Sequence, residues 1–154
     1  MNVFQPFWAA LNGAIQAAWP DVTRIERVVQ ADRINWNNAI DKKALVAPWA
    51  VTQLPAAGPS DDGPADGVNY ELRPTVHYVA QMEGAGGDTA AFIEQKVSDL
   101  QDYLLENALP FTLYADMTVD VSEGNPINVV MLQADMPYLA GSLTFRCLTG
   151  FIPA

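Results

Sequence analysis

Three stretches alternate with period two, and they constrain this chain more than any other feature. From Val68 to Met82, residues Tyr70, Leu72, Pro74, Val76, Tyr78, Ala80 and Met82 share one side. Glu71, Arg73, Thr75, His77 and Gln81 take the other, with Val79 the exception. Side chains on a strand alternate between faces, so this pattern predicts a long strand with one face on a core. Pro74 lies inside it and has no N–H to give to a ladder, so an edge strand or a bulge is expected there. Near the end of the chain, Tyr138 to Phe151 predicts a second long strand. Leu139, Leu143, Phe145 and Cys147 fall on one side of it, and Ser142, Thr144 and Arg146 on the other. Cys147 thus lies in an apolar phase and reads as a buried, inert thiol.

Helical periodicity marks two further segments. Phe7, Trp8, Leu11, Ala14, Ile15 and Ala18 recur at three- and four-residue spacing, with Asn12 and Gln16 on the opposite side, predicting an amphipathic helix over 6–18. Pro6 suits its first turn, and Pro20 turns Trp19 away from helical geometry and ends it. Asp88 or Thr89 predicts the cap of a second helix running to Asn107. Its apolar stripe is Ile93, Val97, Leu100 and Leu104, widened by Phe92 and Tyr103. The acidic residues on its other side read as a solvated face.

The third and clearest alternation is Phe111, Leu113, Ala115, Met117, Val119 and Val121 against Thr112, Tyr114, Asp116, Thr118 and Asp120, a half-buried strand. Shorter strands are expected at Trp49–Leu54 and at Ile127–Leu132, and 111–132 is expected to form a hairpin because sequential neighbours usually pair. Residues 22–47 fit either a helix or a strand. Residues 55–67 hold three Pro, three Gly and three Asp, which predicts a long solvated loop. The expected fold is α+β: a mostly antiparallel sheet of four to five strands with helices packed on one face, in a single domain over residues 1–154.

The composition excludes several classes of function. Eight basic against 18 acidic residues give a net charge of −10, which repels nucleic acid and anionic membrane surfaces at range. The N-terminal residues carry no basic region of the secretory kind, and no apolar run reaches membrane-spanning length. One cysteine and one histidine, Cys147 and His77, supply neither a disulfide nor a zinc ligand set. His77 lies on the polar phase of its strand and reads as a surface residue. No nucleophile elbow, dinucleotide fingerprint or phosphate loop is present: the glycines of 84–87 lack the lysine and the spacing. Asp61, Asp62 and Asp66 lack the spacing of a calcium loop. No catalytic residue, metal site or cofactor is therefore expected, although carboxylate-only chemistry stays open because its two acids can lie far apart in the chain.

Charge is unevenly distributed along the sequence. Arg24, Arg27, Arg33, Lys42 and Lys43 are five of the eight bases, and this stretch is a candidate patch for docking an acidic partner surface. Asp21, Glu26, Asp32 and Asp41 nearly neutralise it, so it also reads as an ordinary solvated face. From Glu83 to Glu123 there are nine acidic residues and a single base, Lys96.

The order of elements resembles that of the tail terminator proteins of long-tailed bacteriophages. The resemblance rests on the helix Phe7–Ala18, the strand Trp49–Leu54 leading into a Pro/Gly loop, the strand–helix unit Tyr70–Asn107, and the closing strand Tyr138-Leu139-Ala140-Gly141-Ser142-Leu143-Thr144-Phe145-Arg146. It covers most of the chain outside residues 22–47, which depart from the pattern. It implies a non-catalytic protein of the virion, assembled in the host cytoplasm into a ring that is typically a hexamer. Such a ring caps the tail tube and meets a head–tail connector or neck protein, with DNA only passing through its lumen and no membrane involved. Asp99, Asp102, Asp116, Asp120 and Glu123 are the candidate lumen or assembly residues, since like charge keeps passing DNA from sticking. Long strands with exposed edges would offer pairing between subunits. The alternatives are another neck or stopper component, and a small carboxylate-based enzyme or ligand-binding domain.

Overall fold

A computed structural model of the chain describes residues 4–22, 25–28, 49–53, 58–60, 68–81, 87–107, 109, 118–120, 128–131 and 138–151. Two helices are seen among them, α1 (Phe4–Ala18) and α2 (Gly87–Glu106). The strands, in chain order, are β1 (Ile25–Val28), β2 (Trp49–Gln53), β3 (Gly58–Ser60), β4 (Val68–Leu72), β5 (Thr75–Gln81), β6 (Thr118–Asp120), β7 (Asn128–Met131), β8 (Tyr138–Thr144) and β9 (Arg146–Phe151). They form a five-stranded sheet of order β1-β2-β5-β8-β7 and a four-stranded sheet of order β3-β4-β9-β6. Every pairing is antiparallel except β1 with β2. The α+β class and the mainly antiparallel pairing are as expected. The second sheet is an addition.

The two long alternating segments are the spine of both sheets. β4 pairs with β9, from Val68 opposite Phe151 to Leu72 opposite Cys147. Beyond a break at Arg73-Pro74 and Phe145, β5 pairs with β8 in the same register, from Thr75 opposite Thr144 to Gln81 opposite Tyr138. The ribbon therefore passes from one sheet to the other with no inserted residue. Its core face stays on one side throughout: Leu72, Val76, Tyr78 and Ala80 on one strand, and Leu139, Leu143, Phe145 and Cys147 on the other, are all buried. A bulge would have turned every residue beyond it to the opposite face.

Pro74 lies neither on an edge strand nor at a bulge, contrary to expectation. It sits where the strand changes sheets. The Phe145 N–H donates to the Pro74 carbonyl at 3.2 Å, and Pro74 has no N–H with which to return the bond. Placing proline at the switch costs the ladder one bond where both strands already leave it. The next pair, Thr75 and Thr144, is then of the non-hydrogen-bonded kind, in which side chains approach closely, and their hydroxyls are 2.9 Å apart.

Two other expectations are corrected, and one left open is decided in part. Residues 55–67 are not all loop, since Gly58-Pro59-Ser60 forms β3 against β4. The ambiguous stretch after Val22 begins as a strand, β1, alongside β2. Among the described residues, β6 and β7 do not pair as the hairpin expected within 111–132 would require: β6 joins β9 in one sheet, and β7 joins β8 in the other. The reason is that β8 and β9 are consecutive parts of one ribbon strand, so the segments before it find partners on its two halves.

Both helices bury the faces that their periodicity selects. Phe7, Trp8, Leu11, Ala14 and Ile15 of α1 are buried, while Asn12 and Gln16 are exposed. Ile93, Val97, Leu100 and Leu104 of α2 are buried against β5, β8 and α1. α2 begins at Gly87, ahead of the expected cap, so Asp88 lies in its first turn, where an acidic group complements the helix dipole. One hydrophobic core takes in residues of both helices and of both halves of the ribbon.

A polar contact holds α1, α2 and the sheet together at the end of α1. Trp19 closes that helix with a bond from its N–H to the Ile15 carbonyl, and its indole Nε1–H donates to the Lys96 carbonyl at 2.7 Å. The Trp19 and Tyr78 rings meet edge to face, 5.1 Å between centroids. The buried Tyr78 hydroxyl donates to Asp21 at 2.6 Å, and Lys96 Nζ donates to the other carboxylate oxygen at 2.8 Å. Lys96 also lies 5.3 Å from the Phe92 ring centre, within cation–π range. Burial alone would raise the Asp21 carboxyl, but the bonds from Lys96 and Tyr78 and the charge of Lys96 outweigh it and hold its pKa below the ordinary 3.8. Burial, and then the Asp21 carboxylate, push the Tyr78 phenol above its ordinary range.

Tyr78→Phe removes a hydrogen bond to a charged acceptor and should cost about 1–3 kcal/mol, measured as a shift in the urea midpoint at pH 7. An Asp pKa depressed by folding adds stability above its unfolded value and loses it as pH falls through the folded value. Lys96→Met should therefore flatten the acid limb of the stability curve below pH 3.8. An acid limb identical to the parent's would show that this ion pair does not carry the effect.

Candidate assembly surface

The solvent face of α2 is the largest piece of the expected acidic surface among the described residues. Its apolar stripe turns to the core, which leaves Glu94, Gln95, Asp102, Leu105 and Glu106 exposed. Asp99 is half-buried and accepts a bond from Gln95 Nε2 at 2.8 Å, one turn before it on the helix. Asp99, Asp102 and Glu106 follow at helical spacing along one row, with no base in the last turn. Like charges at this spacing, and an acid at the negative end of the helix dipole, each cost a few tenths of a kcal/mol. The one base of this helix, Lys96, precedes Asp99 by three residues, and its ammonium is bound to Asp21. Two large apolar side chains are exposed on the same helix, Phe92 at 49% and Leu105 at 57%.

Of the remaining expected site residues, two are among the described ones. Asp120 lies on β6, opposite Arg146 in the β6–β9 register, so a base stands across from it. β6 itself touches α2. Arg27 lies on β1, in register with Thr52 of β2. Asp116, Glu123, Arg24, Arg33, Lys42 and Lys43 lie outside the described residues.

Exposed edges of long strands are not found among the described residues. The longest strands, β5 and β8, are interior, as are β2, β4 and β9, whereas the edge strands β1, β3, β6 and β7 are three or four residues long. Short edges present few free backbone groups and are a common guard against edge-to-edge pairing. The physical reason is the ribbon: a strand pair that serves two sheets is flanked on both sides in each.

Two charge arrangements have no simple signal in the sequence. Asp21, Tyr78 and Lys96 lie far apart in the chain, and only the packing of α2 on β5 brings them together. The other is on the outer face of the ribbon, beside the switch. Glu71 accepts from Arg73 at 3.5 Å and also from Arg146, which stands directly opposite Arg73 in the register. One carboxylate thus separates two guanidinium groups that would otherwise repel across the pair. The alternation around Pro74 puts all three on one face, but their pairing needs the partner strand.

His77 corrects the surface reading. It sits mid-strand in β5, between β2 and β8, and is half-buried; beside it on the same face, Val79 and its partner Ala140 are buried. Burial lowers its pKa from the ordinary 6.5 to about 4. Cys147 is buried as expected, and burial pushes its thiol pKa up. Among the described residues no three His, Cys, Asp or Glu side chains cluster as metal ligands, and no helix is long and apolar enough to cross a membrane.

No protein family matches this sequence, and no curated protein does either. Among solved structures, the fold is similar to that of a chain in the virion of a native gene transfer agent particle. That likeness has a TM-score of 0.50 and 12% identity, and covers 93% of this chain and 90% of the other. At this identity it is a likeness of fold. It spans nearly the full length of both chains, so the shared arrangement is the whole architecture and not one motif.

The depressed histidine sets an acid-side prediction. Above pH 6.5, His77 is neutral in both states and has no effect on stability. Between 6.5 and about 4 the unfolded chain takes up a proton that the folded chain refuses, so stability falls by up to about 3 kcal/mol and then levels off. His77→Gln should remove that part of the pH dependence, read from urea midpoints at pH 7 and 4.5. Equal slopes in parent and variant would contradict it. Cys147 should react with a thiol reagent only at the rate of unfolding, and denaturant should release one fast-reacting thiol per chain. Fast labelling of the folded protein would show the thiol is accessible.

Proposed function

We propose that this chain is a structural protein of a phage-like virion, acting without catalysis as a tail terminator. In this reading it forms a ring, of six subunits in the tail terminator pattern, that caps the tail tube, ends its growth and meets a head–tail connector or neck protein. The single observation that carries the reading is the fold likeness to a virion chain across nearly the full length of both chains. The sequence resemblance to tail terminators points to the same kind of particle. The acidic row Asp99, Asp102 and Glu106 supports it further: on a lumen wall, negative charge would let DNA pass without adhering.

The short edge strands affect how such a ring would close. Sheet-to-sheet pairing through three- or four-residue edges is a poor route, and side-chain contacts around the helices and outer faces are the better one. A head-to-tail contact of this kind joins two different patches and closes when the rotation between subunits is right. The virion likeness also serves a second reading, another neck or stopper component, because it concerns a chain of the particle without assigning that chain's place in it.

Light scattering with mass determination should give an assembly of about six times the 16.7 kDa chain mass, either alone or once tail tube protein is added. Negative-stain images should show rings seated on tube ends, and tubes of arrested length. A monomer that leaves tube length unchanged would remove the terminator reading, while binding to a connector and not to the tube would favour the neck component. Replacing Asp99 and Asp102 together by Lys should leave the assembly mass unchanged but make the ring retain duplex DNA at low salt in a gel-shift assay. No gain in retention would take these residues off the lumen.

A further inference from the structure

We draw no further inference here: the strongest candidate, the acidic row Asp99–Asp102–Glu106 beside the exposed Leu105 on the solvent face of α2, is a cluster of acids for which nothing in the structure shows what covers it.

Discussion

A single unbroken strand register organises this molecule. Residues 68–81 and 138–151 pair with the same offset on both sides of Pro74, so one two-stranded ribbon supplies the centre of two sheets. Every other strand is placed by what that ribbon leaves free. β2, β1 and β7 complete the sheet on one side of the switch, and β3 and β6 complete it on the other. Because no residue is inserted at the switch, the apolar face of the ribbon remains continuous, and a single core can serve both halves. Proline at the switch fits this arrangement. It withholds a donor at the one place where the ladder is already interrupted.

On the core face, that ribbon needs covering, and α2 supplies the cover with α1 packed against it. The contact has an apolar part, the stripe from Ile93 to Leu104, and a polar part fixed at Asp21, Tyr78 and Lys96. The polar part is directional, so it sets the rotation of α2 about its axis and thereby which residues face solvent. With Lys96 bound inward to Asp21, the stretch of α2 from Asp99 to Glu106 carries acids and no base. The exposed negative surface and the internal ion pair are consequences of one choice of helix rotation. A gain in specificity at the contact is accompanied by repulsion along the outer row, a few tenths of a kcal/mol per neighbour.

Much of this was legible in the sequence wherever one local period decided the outcome. The alternation over Leu72–Ala80 and Leu139–Cys147 identified the core face, and the spacing in α1 and α2 did the same for the helices except at Phe92, which is exposed. Legibility ended where partner choice mattered. The alternation around Thr118–Asp120 predicts a strand but not that it skips β7 to join β9. Gly58-Pro59-Ser60 has the composition of a loop and becomes a strand because β4 offers it an open edge. Pro74 was legible as an interruption, but whether proline marks an edge or a change of sheet depends on strands distant in the chain. His77 shows the same limit: its polar phase was right, yet neighbours from two other strands decide its exposure.

In the proposed virion role, a two-sheet body whose described edge strands are short would favour helix and outer-face side chains as the means of assembly. The claim beneath this account is that one register runs through both sheets, and cysteine pairs test it most directly. In a Cys147→Ala background, Thr75→Cys with Thr144→Cys probes the pairing on one side of Pro74, and Asn69→Cys with Gly150→Cys probes it on the other. Both are pairs of the kind whose side chains lie close enough to bridge. Mild oxidation followed by peptide mass mapping should find an intramolecular disulfide in each. A disulfide at 75–144 with none at 69–150, where 69 instead bridges efficiently to a cysteine placed at 148 or 151, would show that the register breaks at the switch and would contradict the account.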